Sequence, residues 1–126
     1  MITKAPDPDT GIKISIRNSD STCQEWDVFL PCDVMVGRNK DCKIHLSDQS
    51  VSRQHCRIYF DNTVMIENLS NTNKTYLNDR LLDVPAVLKA GDSIVCGRVT
   101  LCVDSIIDLD AEYNERSHSG TVYINV

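Results

Sequence analysis

The chain has 126 residues, 41% apolar and 25% charged, with a formal charge of −5; that length suits one domain with tails, and that balance excludes wholesale disorder. No apolar run approaches the roughly 18 residues that cross a bilayer, and the start Met1–Pro8 lacks the apolar stretch of a signal peptide, so a soluble cytoplasmic protein with no membrane partner is expected. A general nucleic-acid binder is basic, and the acidic total argues against nucleic acid as a partner.

Residues 1–10 read as a loose leader, because Pro6, Pro8 and Gly11 break regular structure. Ile12–Ile16 then alternates, with Ile12, Ile14 and Ile16 on one side and Lys13 and Ser15 on the other, the period of a half-buried strand. Short β-rich runs follow at Trp26–Leu30, Val34–Gly37, Lys43–Leu46, Cys56–Phe60, Val64–Asn68 and Thr75–Leu77. The later ones are Arg80–Leu82, Val87–Lys89, Ser93–Cys96 and Val99–Val103. Turn formers separate them, among them Asp61-Asn62, Asn78-Asp79, Gly91-Asp92 and Gly97; Asp61-Asn62 between two runs signals a tight hairpin. No amphipathic helix is visible. About eleven short strands at this spacing predict an all-β fold, an antiparallel β-sandwich spanning residues 11–104. Residues 105–126 form an acidic tail in which Thr121–Val126 has the pattern of a late strand.

Charge is unevenly spread. Residues 1–103 hold 12 Lys/Arg against 13 Asp/Glu, a net −1, and residues 104–126 hold Arg116 against five acids, a net −4. Between Gly37 and Arg57 five basic residues face two acidic ones, a local +3 that would receive an anion. The six cysteines (Cys23, Cys32, Cys42, Cys56, Cys96 and Cys102) include no Cys-x-x-Cys. Disulfide frameworks belong to short secreted chains. Cys56, Cys96 and Cys102 sit in apolar runs, so free structural thiols are expected, and no metal or cofactor.

Catalysis has little support. Ser52 and His55 are the one notable nucleophile–base pair, and residues three apart approaching a strand face opposite sides. No Gly-x-Ser-x-Gly, Walker loop or His-Glu-x-x-His is present. Trp26 is expected in the core, His45 half-buried on a strand and His118 solvated. What stands out is three donor-rich loops: Val36-Gly37-Arg38-Asn39, Ser50-Val51-Ser52-Arg53-Gln54-His55 and Ser70-Asn71-Thr72-Asn73-Lys74-Thr75. Alternate loops of a sandwich gather at one end. Gathered there, guanidinium, hydroxyl, amide and backbone N–H groups could hold a phosphate dianion.

The runs Val36-Gly37-Arg38, Cys42–Leu46, Val51–Cys56, Asn68–Asn78, Leu88–Ile94 and Gly97–Leu101 together resemble the forkhead-associated (FHA) domain, in that family's order and spacing over roughly residues 12–104. The resemblance implies a sandwich of about eleven strands that binds phosphothreonine peptides at its loop end and is not an enzyme. By the same resemblance Arg38 contacts the phosphate, Ser52 hydrogen-bonds a phosphate oxygen and Arg53 adds a second phosphate contact. Thr72 reaches the phosphate by hydroxyl or backbone, and Asn73 clamps the peptide main chain. Gly37 and His55 support the loops. Lys74 departs from the pattern, since glycine is usual there; it puts the loop shape in question and brings a positive charge near the ligand. A phosphothreonine protein, or the parent chain itself, is then the expected partner in Ser/Thr kinase signalling. The alternative is an assembly module of the same fold that docks unphosphorylated surfaces. Several FHA proteins capture a phosphothreonine from outside their own sandwich; of Thr3, Thr10 and Thr121, Thr10 is too close to the first strand to reach across, Thr3 has more freedom and the acidic tail with Thr121 has most.

Overall fold

The computed structural model describes residues 11–20 and 24–109. Thr3, Thr10, Cys23, His118, Thr121 and the strand expected over Thr121–Val126 lie outside the described residues. Among the described residues there are eleven strands: β1 (Ile12–Asn18), β2 (Glu25–Leu30), β3 (Val34–Gly37), β4 (Ile44–His45), β5 (Cys56–Phe60), β6 (Val64–Asn68), β7 (Thr75–Leu77), β8 (Arg80–Leu81), β9 (Ala86–Val87), β10 (Ser93–Cys96) and β11 (Val99–Asp108). They form a six-stranded sheet, β2-β1-β11-β10-β7-β8, and a five-stranded sheet, β4-β3-β5-β6-β9. This is the all-β sandwich expected from the spacing.

Alternation decides which side chains meet between the sheets. Ile14 and Ile16 of β1, Val28 and Leu30 of β2, Ile94 of β10 and Leu101 and Val103 of β11 point inward from one sheet. Val34 and Val36 of β3, Ile44 of β4, Ile58 of β5 and Val64 and Ile66 of β6 meet them from the other. Full burial of such a side chain contributes about 1.5–3 kcal/mol, so the two inner faces supply the main drive to close the sandwich. Trp26 packs at the edge of this core, and His45 is half-buried. The five cysteines that the structure describes are all free. Cys56 and Cys96 face each other across the sheets with sulfurs 3.9 Å apart, and the contact with Cys96, together with burial, pushes the Cys56 thiol well up.

Three features differ from the sequence expectation. First, β3 and β4 pair in parallel, Val36 opposite Ile44, while the other pairs are antiparallel. Second, the last strand continues beyond Val103 to Asp108, so residues 105–108, expected in the tail, pair with β1. Ile16 lies opposite Val103 and Ser15 opposite Ser105, which leaves Asp104 as an extra residue. Such a bulge shifts the inward side by one position, and the period-2 pattern therefore breaks at Asp104. Third, Arg57, counted in the basic window, is on β5 and is paired with Asp33 and Glu67 and stacked 4.1 Å over Tyr59.

The turns obey their residues. Asn78 and Asp79 both take positive φ (52° and 68°), the two-residue turn that matches strand twist, and join Leu77 to Arg80. Asn62 has φ 65° in a three-residue connection between Phe60 and Val64, so the hairpin expected at Asp61-Asn62 forms one residue longer.

Candidate functional site

Three connections meet at one end of the sandwich: residues 38–43 after β3, residues 46–55 between β4 and β5, and residues 69–74 between β6 and β7. Backbone bonds lock the first two together. The Arg38 N–H donates to Ser52 O (3.0 Å), the Asn39 N–H to Arg53 O (3.1 Å) and the His55 N–H to Val36 O (2.8 Å). Gly37 lies at their point of closest approach, where a Cβ would collide with the Arg53 carbonyl oxygen. The buried Cys42 thiol donates to the same carbonyl at 3.4 Å, and burial raises its pKa.

His55 ties in the third connection. Its side chain is fully buried. Nδ1 accepts the Ser52 backbone N–H at 3.0 Å, which leaves the ring proton on Nε2 to donate to Lys74 O at 3.1 Å. Its own carbonyl accepts the Leu69 N–H at 2.9 Å. Burial lowers its pKa, so the neutral ring is the resident form near pH 7. The imidazole thus touches the main chain of Ser52.

The polar side chains converge on two serine hydroxyls. Ser52 Oγ lies 2.6 Å from Ser70 Oγ and accepts from Asn73 Nδ2 at 2.8 Å. Ser70 Oγ also accepts the N–H groups of Asn73 (2.9 Å) and Thr72 (3.3 Å). Asn68 supports this turn from below: its Nδ2 donates to Ser70 O at 2.8 Å, and its Oδ1 accepts the Thr75 hydroxyl at 2.7 Å. Ser70 and Asn68 were not singled out from the sequence. The available signal was a polar residue at each end of the Asn68-Leu69-Ser70 run, beside a loop that needs its N–H groups satisfied.

The cationic residues lie on the same three loops. Arg38 is exposed, but its Nε donates to Val51 O at 2.9 Å, which aims the guanidinium and leaves both terminal NH2 groups without a partner among the described residues. Arg53 and Lys74 are exposed on the adjoining loops, and the Thr72 side chain is exposed beside them. Lys74 does not take a positive φ, so this loop closes without the glycine usual at that position. A fourth element braces the end: Asp48 accepts the side chain and N–H of Ser50 (2.6 and 2.8 Å) and Arg98 Nη2 (3.2 Å), which hold its carboxyl at about 2. Among the described residues no three of His, Cys, Asp and Glu come together as metal ligands would.

Known proteins can be set against this geometry. The family model described as FHA domain matches residues 34–97, 64 of the 126 residues. Proliferation marker protein Ki-67 of Homo sapiens is 33% identical over 84 residues, which is 66% of this chain and 2% of that protein. The chain therefore spans a small fraction of the curated relatives it matches. Among solved structures, one from a study of phosphothreonine-dependent FHA domain interactions superposes with a TM-score of 0.67 at 25% identity, covering 73% of this chain and 95% of that one. The FHA domain of an Arabidopsis thaliana hypothetical protein superposes with a TM-score of 0.68 at 24% identity, covering 83% and 94%. With eleven strands in the same two-sheet arrangement and a family match over half its length, the chain belongs to the FHA domain family.

Proposed function

We propose that this chain is a phosphothreonine-binding module that docks its parent protein onto a partner phosphorylated by a Ser/Thr kinase, or onto a phosphothreonine of the parent itself. It has no catalysis of its own and works in the cytoplasm. The observation that carries the reading is the hub of the Ser52 and Ser70 hydroxyls and the Asn73 amide, which joins two loops, with Arg38 of the third loop held by its bond to the carbonyl of Val51, the residue before Ser52. A similar structure comes from a study of phosphothreonine-dependent interactions.

In this reading the free NH2 groups of Arg38 grip two phosphate oxygens, a geometry that matches the planar guanidinium. Ser52 donates its hydroxyl to a third position. The exposed Thr72 hydroxyl is the donor from its loop, because the Thr72 N–H already serves Ser70. Arg53 and Lys74 add positive charge, and the remaining Asn73 amide atoms hold the peptide main chain. Gly37 and His55 keep the loops in register. Micromolar affinity corresponds to about −8 kcal/mol, and charge-assisted hydrogen bonds contribute roughly 1.5–3 kcal/mol each. Three such bonds fall short of or barely reach that total, so flanking peptide contacts contribute as well. A pocket for the threonine methyl would favour phosphothreonine over phosphoserine by ~0.8 kcal/mol, about fourfold.

An oriented phosphothreonine peptide library, followed by titration of the selected peptide, tests this. Wild type is expected to bind the phosphopeptide and ignore its unphosphorylated form, and Arg38→Ala is expected to lose at least tenfold in affinity while staying folded, with a melting temperature lowered only by the loss of the Arg38–Val51 bond. Equal binding of both peptide forms would point to the assembly module instead.

A further inference from the structure

We propose that Ser70 is a positioning residue that sets the direction of the Ser52 hydroxyl proton and makes Ser52 a fixed outward donor. The inference rests on the phosphate-binding reading of the site and concerns how that site is wired. A serine hydroxyl has one proton to donate and two lone pairs to accept with. Ser70 Oγ accepts two backbone N–H groups, from Asn73 at 2.9 Å and Thr72 at 3.3 Å, and both lone pairs are then in use. Its proton has one acceptor in reach, Ser52 Oγ at 2.6 Å. Ser52 Oγ accepts that proton and one from Asn73 Nδ2 at 2.8 Å, so its lone pairs are filled as well. What remains is the Ser52 proton, and the two directions occupied by Ser70 and Asn73 are closed to it. It points out of the hub on the side left open to ligand.

The chain of donors runs from the loop backbone through Ser70 to Ser52, each bond polarising the next. Two consequences follow. Ser52 offers a ligand only a proton, so a group that must itself donate, such as a free hydroxyl or a protonated phosphate oxygen, meets a donor head-on. The site therefore prefers the dianionic phosphate, whose second proton leaves near pH 6. And the orientation is set before ligand arrives, so no rotamer freedom of the hydroxyl is lost on binding.

Ser70 makes no ligand contact in this scheme, and coupling to Ser52 separates an effect passed through that hydroxyl from one passed through the Thr72 and Asn73 N–H groups that Ser70 also holds. The test is a double-mutant cycle on the full chain with the library-selected phosphothreonine peptide: wild type, Ser70→Ala, Ser52→Ala and the double variant, with melting temperatures recorded for each. Ser70→Ala is expected to weaken binding roughly three- to tenfold in wild type, the worth of one well-placed hydrogen bond, and less than twofold when Ser52 is already alanine. Ser70→Thr keeps the hydroxyl and is expected to restore affinity to within about twofold, while the rise in affinity above pH 6 expected of wild type is expected to be smaller in Ser70→Ala. Should Ser70→Ala fail to fold, the near-isosteric Ser70→Cys, a weak donor and acceptor, replaces it in the cycle with the same expectation. An equal loss from the Ser70 change with and without Ser52 would overturn the proposal and leave Ser70 as a loop brace. No loss at all in wild type would also overturn it. Absence of phosphopeptide binding by wild type would remove the functional reading and this inference together.

Discussion

Replacing His55 with phenylalanine keeps an aromatic ring of similar size in a fully buried place but removes both ring nitrogens. The Ser52 N–H and the Lys74 carbonyl then lose their partners, which they reach at 3.0 and 3.1 Å. A buried polar group left unsatisfied costs about 1–3 kcal/mol, so the pair costs about 2–6 kcal/mol. For a domain of this size each kcal/mol lowers the melting temperature by about 4–8 °C, which gives a fall of roughly 8–48 °C. His55→Ala removes the same bonds and opens a cavity, and is expected to be worse still. Thermal unfolding followed by circular dichroism reads both. The pH dependence gives a second reading with a definite sign. Burial holds the folded-state pKa of His55 below its ordinary 6.5, so the unfolded chain takes up the proton first. Stability is complete above about pH 6.5 and is lost as pH falls from there toward the folded-state pKa. The phenylalanine variant is expected to lose that slope. If it melted within about 2 °C of wild type, with the slope intact, the imidazole would not be the clamp between these loops.

Gly37→Ala drives a Cβ into the Arg53 carbonyl, with backbone on both sides of the collision; overpacking of this kind costs about 1–3 kcal/mol or more, and a lowered melting temperature together with weakened phosphopeptide binding is expected from titration and melting of the variant. Thiol counting in denaturant without reductant should return close to six free thiols, the five described as free and Cys23; stable disulfides would contradict the reading of Cys56 and Cys96 as core residues. Deletion of the acidic tail tests whether it shades the basic loops, and the cut belongs after Leu109, because residues 105–108 are the end of β11. Phosphopeptide affinity that rises on deletion at low salt and not at high salt is expected of electrostatic shading, and unchanged affinity at both would exclude the tail from the site.

Strand positions and the core were legible in the sequence because alternation is a local property. Ile14 and Ile16, Cys56 and Ile58, and Val64 and Ile66 are each two residues apart, and a side chain two positions along a strand returns to the same face whatever the sheet order. The turn at Asn78-Asp79 was equally local, since those residues tolerate positive φ. The three donor-rich loops were legible from their residues, but the individual roles of Arg38, Ser52, Thr72 and Asn73 came only from the family resemblance, because nothing in their spacing brings positions 38, 52 and 73 together.

What brings them together is sheet order. β3 beside β5 and β5 beside β6 set the three connections at one end, and the buried His55 then ties them. The role of Ser70 depends on distances to Ser52, Thr72 and Asn73 that no pattern along the chain encodes. The bulge at Asp104 and the pairing of Arg57 with Asp33 and Glu67 are of the same kind. The first hid four residues of strand by breaking the alternation, and the second removed one cation from a basic window that counted charges without regard to where they point. Periodicity is written in the neighbours of each residue, whereas hydrogen-bond direction and charge pairing are written in contacts between residues far apart in the chain, and those exist only once the two sheets have closed.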